Sequence, residues 1–154
     1  MSGSGDECPP AGTAVIELCI PSSSCYVSVA RHAMDGIARN TRLSKTDIED
    51  VRLALGEACN NAVKHSAHGN CNLPVNIKFV ISEKALEIEI RNCHPKGLPK
   101  PIIDEPPSLE REGGYGFFLM KKLVDHVDFV WGSDYALVRL IKKYQPQNAT
   151  VASD

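Results

Sequence analysis

The chain has 154 residues, 43% of them hydrophobic and 23% charged, the proportions of one globular domain around a single core. A formal net charge of −2, with no basic stripe, argues against a protein that works by neutralising nucleic-acid phosphates. The polar start Met1-Ser2-Gly3-Ser4-Gly5-Asp6-Glu7 lacks the basic-then-apolar order of a signal peptide, and no apolar run approaches the roughly 20 residues that span a bilayer, so a cytoplasmic protein without a membrane partner is expected.

Composition divides the chain into a polar tail over residues 1–12, a folded domain over 13–144 and a second polar tail over 145–154. The β-rich segment 14–20 stops at Pro21 and predicts a first strand. Ser22 to Ser24 offer N-caps for a helix in which Tyr26, Val29, Ala30, Ala33 and Ile37 recur at helical spacing, ended by Asn40-Thr41. Ser44 opens a second, longer helix with a Ser-x-x-Asp pattern resembling a capping box, Asp47 standing where Glu is usual. Along it Ile48, Val51, Leu55, Ala58 and Ala62 form one apolar stripe. Glu57 and Asn61 lie four residues apart on another side, roughly 100 to 140° from that stripe, and so project together without pointing into the core below the helix.

Beyond a Gly- and Asn-containing loop, Val75, Ile77, Phe79 and Ile81 alternate, as do Leu86, Ile88 and Ile90, predicting a hairpin with one buried face and a polar face carrying Glu87 and Glu89. From Asn92 to Glu112 the regularity stops. Pro95, Pro99, Pro101, Pro106 and Pro107 exclude a helix, and about 20 structureless residues inside a small domain predict a functional loop or lid. Gly113-Gly114-Tyr115-Gly116 then leads into an amphipathic helix with Leu119, Met120 and Leu123 inward, and glycines at a helix start let backbone N–H groups approach an anion. Two more strands close the domain, over 127–131 and 135–141, turned at Gly132-Ser133-Asp134.

The order strand, helix, helix, hairpin, lid, helix, hairpin predicts an α+β layer with helices on one face of a mostly antiparallel sheet. The cysteines Cys8, Cys19, Cys25, Cys59, Cys71 and Cys93 contain no C-x-x-C pair and read as free thiols in a reducing compartment. His65, His68 and Cys71 lie close together but lack a fourth ligand at zinc-finger spacing, so a polar loop is the simpler reading. A carboxylate and a carboxamide on one helix, with a glycine-framed anion site under a lid, suit a magnesium nucleotide. An amide oxygen can join a hard cation, and a carboxylate can take a proton from an attacking hydroxyl or water. No P-loop and no glycine-rich loop of ordinary protein kinases occurs.

Two of these segments resemble one superfamily. Glu57-Ala58-Cys59-Asn60-Asn61-Ala62-Val63-Lys64-His65 is similar to the N-box of the GHKL, or histidine-kinase-like, ATPases. Leu109-Glu110-Arg111-Glu112-Gly113-Gly114-Tyr115-Gly116-Phe117-Phe118-Leu119-Met120 is similar to their second glycine box. The form E-A-x-x-N-A-x-x-H followed by R-E-G-G-x-G-x-x-L-M-x-x-L-x-D resembles the bacterial anti-sigma factor serine/threonine kinases over residues 14–144. The resemblance implies a Bergerat-type two-layer sandwich, a mixed and mostly antiparallel sheet with helices on one face and an ATP lid. It implies ATP and Mg²⁺ as cofactors and a homodimer. It further implies phosphorylation of a serine or threonine on a STAS-domain anti-anti-sigma factor, and sequestration of a sigma factor. On this resemblance Glu57 is the general base and Asn61 the Mg²⁺ ligand. Asn61, His65, Asn92, Arg111, Gly113, Gly114, Tyr115 and Gly116 form the nucleotide site, and Arg31 in the first helix contacts the partner.

One segment departs from the family pattern. Where D-x-G-x-G is expected, the chain has Arg91-Asn92-Cys93-His94-Pro95-Lys96-Gly97, with Asn92 in place of the adenine-reading Asp and His94 in place of the first Gly. Asn92 still offers an amide oxygen but no charge, and a neutral hydrogen bond is about half as strong as a charge-assisted one. The alternative expectation is therefore a catalytically degenerate binding module of the same fold, which sequesters a regulator without kinase activity.

Overall fold

Residues with alternating polarity pair into one sheet, and the helices with apolar stripes cover one side of it. The computed structural model describes residues 12–68, 72–94 and 115–146. In chain order these form β1 (Ala14–Ile20), a 3-10 turn (Ser24–Tyr26), α1 (Val27–Ala38), α2 (Lys45–His68), β2 (Val75–Ile81), β3 (Ala85–Cys93), α3 (Tyr115–Leu123), β4 (His126–Trp131) and β5 (Tyr135–Lys143). The sheet runs β1-β2-β3-β5-β4, antiparallel at each of these pairings. Because β5 lies between β3 and β4, the chain crosses from β3 through α3 to the edge strand β4 and returns by a hairpin, so β3 and β4 point the same way. The expected α+β two-layer architecture is present.

The core lies between the sheet and the helices. Val75, Ile77 and Phe79 of β2, Leu86, Ile88 and Ile90 of β3, and Val138 and Leu140 of β5 are buried. They share one cluster with Val51, Leu55, Ala58 and Ala62 of α2 and with Ala30, Met34 and Ile37 of α1. Each large side chain removed from water here contributes about 1.5–3 kcal/mol. The small residues Ala54, Ala58 and Ala62, all buried, let α2 lie close to its neighbours.

At the start of α2 the Asp47 N–H donates to Ser44 Oγ at 3.1 Å, as the capping pattern predicts. The Asp47 carboxylate lies 3.4 Å from Lys142 Nζ on β5, and the same ammonium donates to the carbonyl of Leu123 at 3.0 Å. One cation thereby ties the start of α2, the last residue of α3 and β5 together, and satisfies an orphan carbonyl at the negative end of the α3 dipole.

Four expectations change. The buried face of α1 is Val27, Ala30, Met34, Ile37 and Ala38, while Tyr26 and Val29 face solvent. The 3-10 turn takes up Tyr26, so the inward stripe is rotated by one residue. The strand β3 continues through Asn92 to Cys93, paired with Ala136 and Tyr135 of β5, instead of stopping before Asn92. In α3 the buried pair is Phe117 and Met120, with Leu119 and Leu123 only partly covered. Cys19, Cys25 and Cys59 are free thiols as expected, but Cys93 is disulfide-bonded. Of His65, His68 and Cys71, read as a polar loop, Cys71 and the side chain of His68 lie outside the described residues.

The far side of the sheet carries the polar residues. Arg139 of β5 lies 3.0 Å from Glu87 and 2.9 Å from Glu89 of β3, and these carboxylates raise its already high pKa. Arg91 sits over the Tyr135 ring at 3.9 Å. Among the described residues no helix is long and apolar enough to cross a membrane.

Candidate functional site

The helix α2 sets the spacing of the site. Glu57 and Asn61 are one turn apart, about 6 Å along the axis, and both are half-buried. They face the start of α3. A Cβ built on Gly116, the second residue of α3, would come within 2.8 Å of Glu57 Oε2 and 3.4 Å of Asn61 Nδ2. Only a glycine leaves this space, so the backbone at the N-terminus of α3 closes directly on the carboxylate and the carboxamide. The first N–H groups of a helix have no partner within it and mark the positive end of its dipole, which suits an anion beside the two side chains. Two segments more than 50 residues apart in the chain thus form one wall.

Arg31 on α1 approaches the same turn of α2 from another side. Its Nε and Nη2 would lie 2.7 Å from a Cβ on Gly56, the neighbour of Glu57, so the guanidinium rests against a bare helix backbone. Arg31 is nonetheless exposed. Burial pushes the nearby Cys59 thiol up to about 12, with the Arg31 charge acting in the opposite direction, so this cysteine stays protonated and inert. His65 follows Asn61 by one turn and is half-buried. Tyr115, the first residue of α3, is 55% exposed. Arg111, Gly113 and Gly114 lie outside the described residues.

A second polar cluster forms where the last turn of α2 meets the end of β3. Ser66, fully buried, continues the stripe of Ala58 and Ala62 at intervals of four and lies about 13.5 Å along the axis from Glu57. Asn92 is buried and reaches Ser66 Oγ with Nδ2 at 3.5 Å and the carbonyl of Cys93 at 2.9 Å. A carbonyl only accepts, so the atom facing it must be the amide nitrogen. This fixes the flip of the amide and leaves Oδ1 as its acceptor. His94, 8% exposed, packs its ring 4.9 Å from that of Trp131. Ser66, Gly56 and Trp131 were not singled out from the sequence. Ser66 had a signal, a polar residue in register with an apolar stripe, whereas Trp131 reaches the site only through strand pairing.

Comparisons with known proteins identify the family. The family described as Histidine kinase-like ATPase domain matches residues 20–142. The chain is 34% identical to serine-protein kinase RsbW of Oceanobacillus iheyensis over 137 residues, covering 84% of this chain and 85% of that protein. It is likewise 34% identical to serine-protein kinase RsbW of Staphylococcus aureus over 145 residues, covering 86% and 91%. A crystal structure of the RsbU and RsbW domains of a Mycobacterium tuberculosis protein superposes with a TM-score of 0.63 at 12% identity, covering 86% of this chain and 33% of that one, a likeness of fold. By its matched domain and its relatives alike, the chain belongs to the histidine-kinase-like ATPases and, among them, to the anti-sigma factor serine-protein kinase family.

Proposed function

We propose that this chain transfers the terminal phosphoryl group of ATP to a serine or threonine of a STAS-domain anti-anti-sigma factor, and that in its other state it holds a sigma factor in the cytoplasm. The observation that carries the reading is the closure of Gly116 on Glu57 Oε2 and Asn61, which brings a proton acceptor, a hard oxygen ligand and a helix N-terminus together. The donor set fits a magnesium nucleotide. The Asn61 carboxamide oxygen would hold Mg²⁺, and the ion would supply charge neutralisation on the phosphate oxygens.

The chain's own groups do the remaining work. The Glu57 carboxylate accepts the proton of the attacking hydroxyl as its oxygen bonds to phosphorus and the bond to ADP breaks. The N–H groups at the start of α3 face the phosphates, and Gly113, Gly114 and Arg111 belong to this reading as further phosphate contacts, with Tyr115 and His65 beside them. Asn92 Oδ1 accepts from the adenine amino group. Arg31 holds the incoming partner in this reading, supported by its exposure beside Gly56, the neighbour of Glu57. A second copy of the chain is the other partner in this reading, supported by the β1 edge, where Val15 is 52% and Ile16 39% exposed.

Phosphoryl transfer to a STAS-domain protein from labelled ATP with Mg²⁺ tests the reading. Glu57→Gln should lower the rate by about 10²–10⁴-fold while ADP still binds. Transfer by Glu57→Gln at the wild-type rate would remove Glu57 as the base. Nucleotide binding with no transfer to any folded STAS protein would favour the binding module instead.

A further inference from the structure

His94 is a buried group whose chemistry the fold leaves unused. It is 8% exposed, yet among the described residues neither ring nitrogen has a hydrogen-bond partner. Buried polar atoms without partners are rare in native proteins, and each calls for a ligand or a water to complete it. Its backbone N–H donates to the carbonyl of Asp134 at 2.9 Å, which pins the residue at the end of β3. The ring is backed by Trp131, itself stacked on Phe129, which packs on Phe117 of α3. This aromatic row positions the imidazole without engaging its nitrogens. Asn92, two residues earlier in the last pairs of β3, has its amide nitrogen committed to the Cys93 carbonyl and Ser66, so that side chain presents an acceptor.

We propose that His94 is a base-reading residue of the nucleotide site, donating from its imidazole N–H to a ring nitrogen of a 6-aminopurine whose amino group is taken by Asn92 Oδ1. The inference rests on the nucleotide reading above and adds the residue that recognises the base. In a 6-aminopurine the exocyclic amino group is flanked by ring nitrogens that only accept, so an acceptor beside an imidazole N–H complements that edge. A 6-oxopurine offers a carbonyl there. Asn92 cannot meet it without breaking both bonds that fix its flip, whereas His94 can change tautomer. Rejection of guanine therefore lies with Asn92, and His94 contributes strength of binding.

Calorimetric titration of the intact chain with Mg²⁺ tests this, using ADP, 1-deaza-ADP, 7-deaza-ADP and GDP, on wild type, His94→Phe and His94→Gly. Phe keeps the ring volume against Trp131 and removes both nitrogens. One of the two deaza nucleotides should bind wild type about tenfold more weakly than ADP, and His94→Phe should bind that analogue and ADP equally, about tenfold more weakly than wild type binds ADP. Both deaza nucleotides binding wild type as ADP does would overturn the proposal, even if the variants failed to fold. So would ADP binding by folded His94→Phe at wild-type affinity. Tighter binding by His94→Gly than by wild type would also overturn it, since the imidazole would then be filling the base site. Absence of nucleotide binding by wild type with an intact thermal transition would sink the nucleotide site itself, a result separable from loss of the His94 role alone.

Discussion

At Gly116 a missing methyl group decides where the Glu57 carboxylate can sit. The atom that a Cβ would strike, Glu57 Oε2, is the tip of a flexible side chain, so the fold can yield at little cost while the carboxylate would have to move. Gly116→Ala should therefore lower phosphoryl transfer by about 10²-fold, the effect of a misplacement of roughly 1 Å, with a melting temperature close to wild type. A second expectation concerns Cys59. Its thiol ionises at about 12 in the folded chain against 9.0 for an ordinary cysteine, because burial disfavours the thiolate. A raised acid pKa contributes stability that is fully present below the unfolded value and is lost as pH rises toward the folded one, so stability should fall above about pH 9. Iodoacetamide at pH 8 should label the exposed Cys19 and Cys25 and spare Cys59 until the chain unfolds, as peptide mapping would read out. Glu57 and Asn61 were legible in the sequence because helical period alone sets their common face. The flip of Asn92 was not, since a carbonyl from its neighbour and a serine from α2 determine it together.

Among the elements, the contact of α3 with α2 matters most, and Lys142 holds it from below. Lys142→Met keeps the aliphatic stem but strips the Asp47 carboxylate, 13% exposed, and the Leu123 carbonyl of their shared donor. The loss should be about 1.5–3 kcal/mol, seen as a lower urea midpoint at unchanged slope. The strands β1, β2, β4 and β5 were readable within a few residues, because alternation over a half-buried sheet follows from side-chain geometry. The face of α1 was not. Two stripes one residue apart share Ala30 and Ile37, and only packing against α2 chooses the one with Val27 and Met34. The end of β3 was hidden for a related reason. Asn92 is polar yet points inward, so the apolar alternation stops before the hydrogen-bonded ladder does.

For the whole molecule, a nucleotide that binds only the folded chain must stabilise it. Mg²⁺ with ADP at 100 times its Kd should add about 2.7 kcal/mol, or about 5–10 °C in melting temperature for a domain of this size. Asn61→Ala should lose the part of that shift that depends on Mg²⁺, read by melting with and without chelator. The sequence by itself determined the α+β layer order, the family, and the pair of carboxylate and carboxamide on α2, because each is written in local period or in contiguous motifs. The tertiary structure decided what those motifs meet. It closed Gly116 on Glu57, seated Arg31 on Gly56, and set His94 against Trp131 with its nitrogens unpartnered among the described residues. These contacts join residues far apart in the chain, and their geometry depends on strand register and helix packing that no local pattern carries.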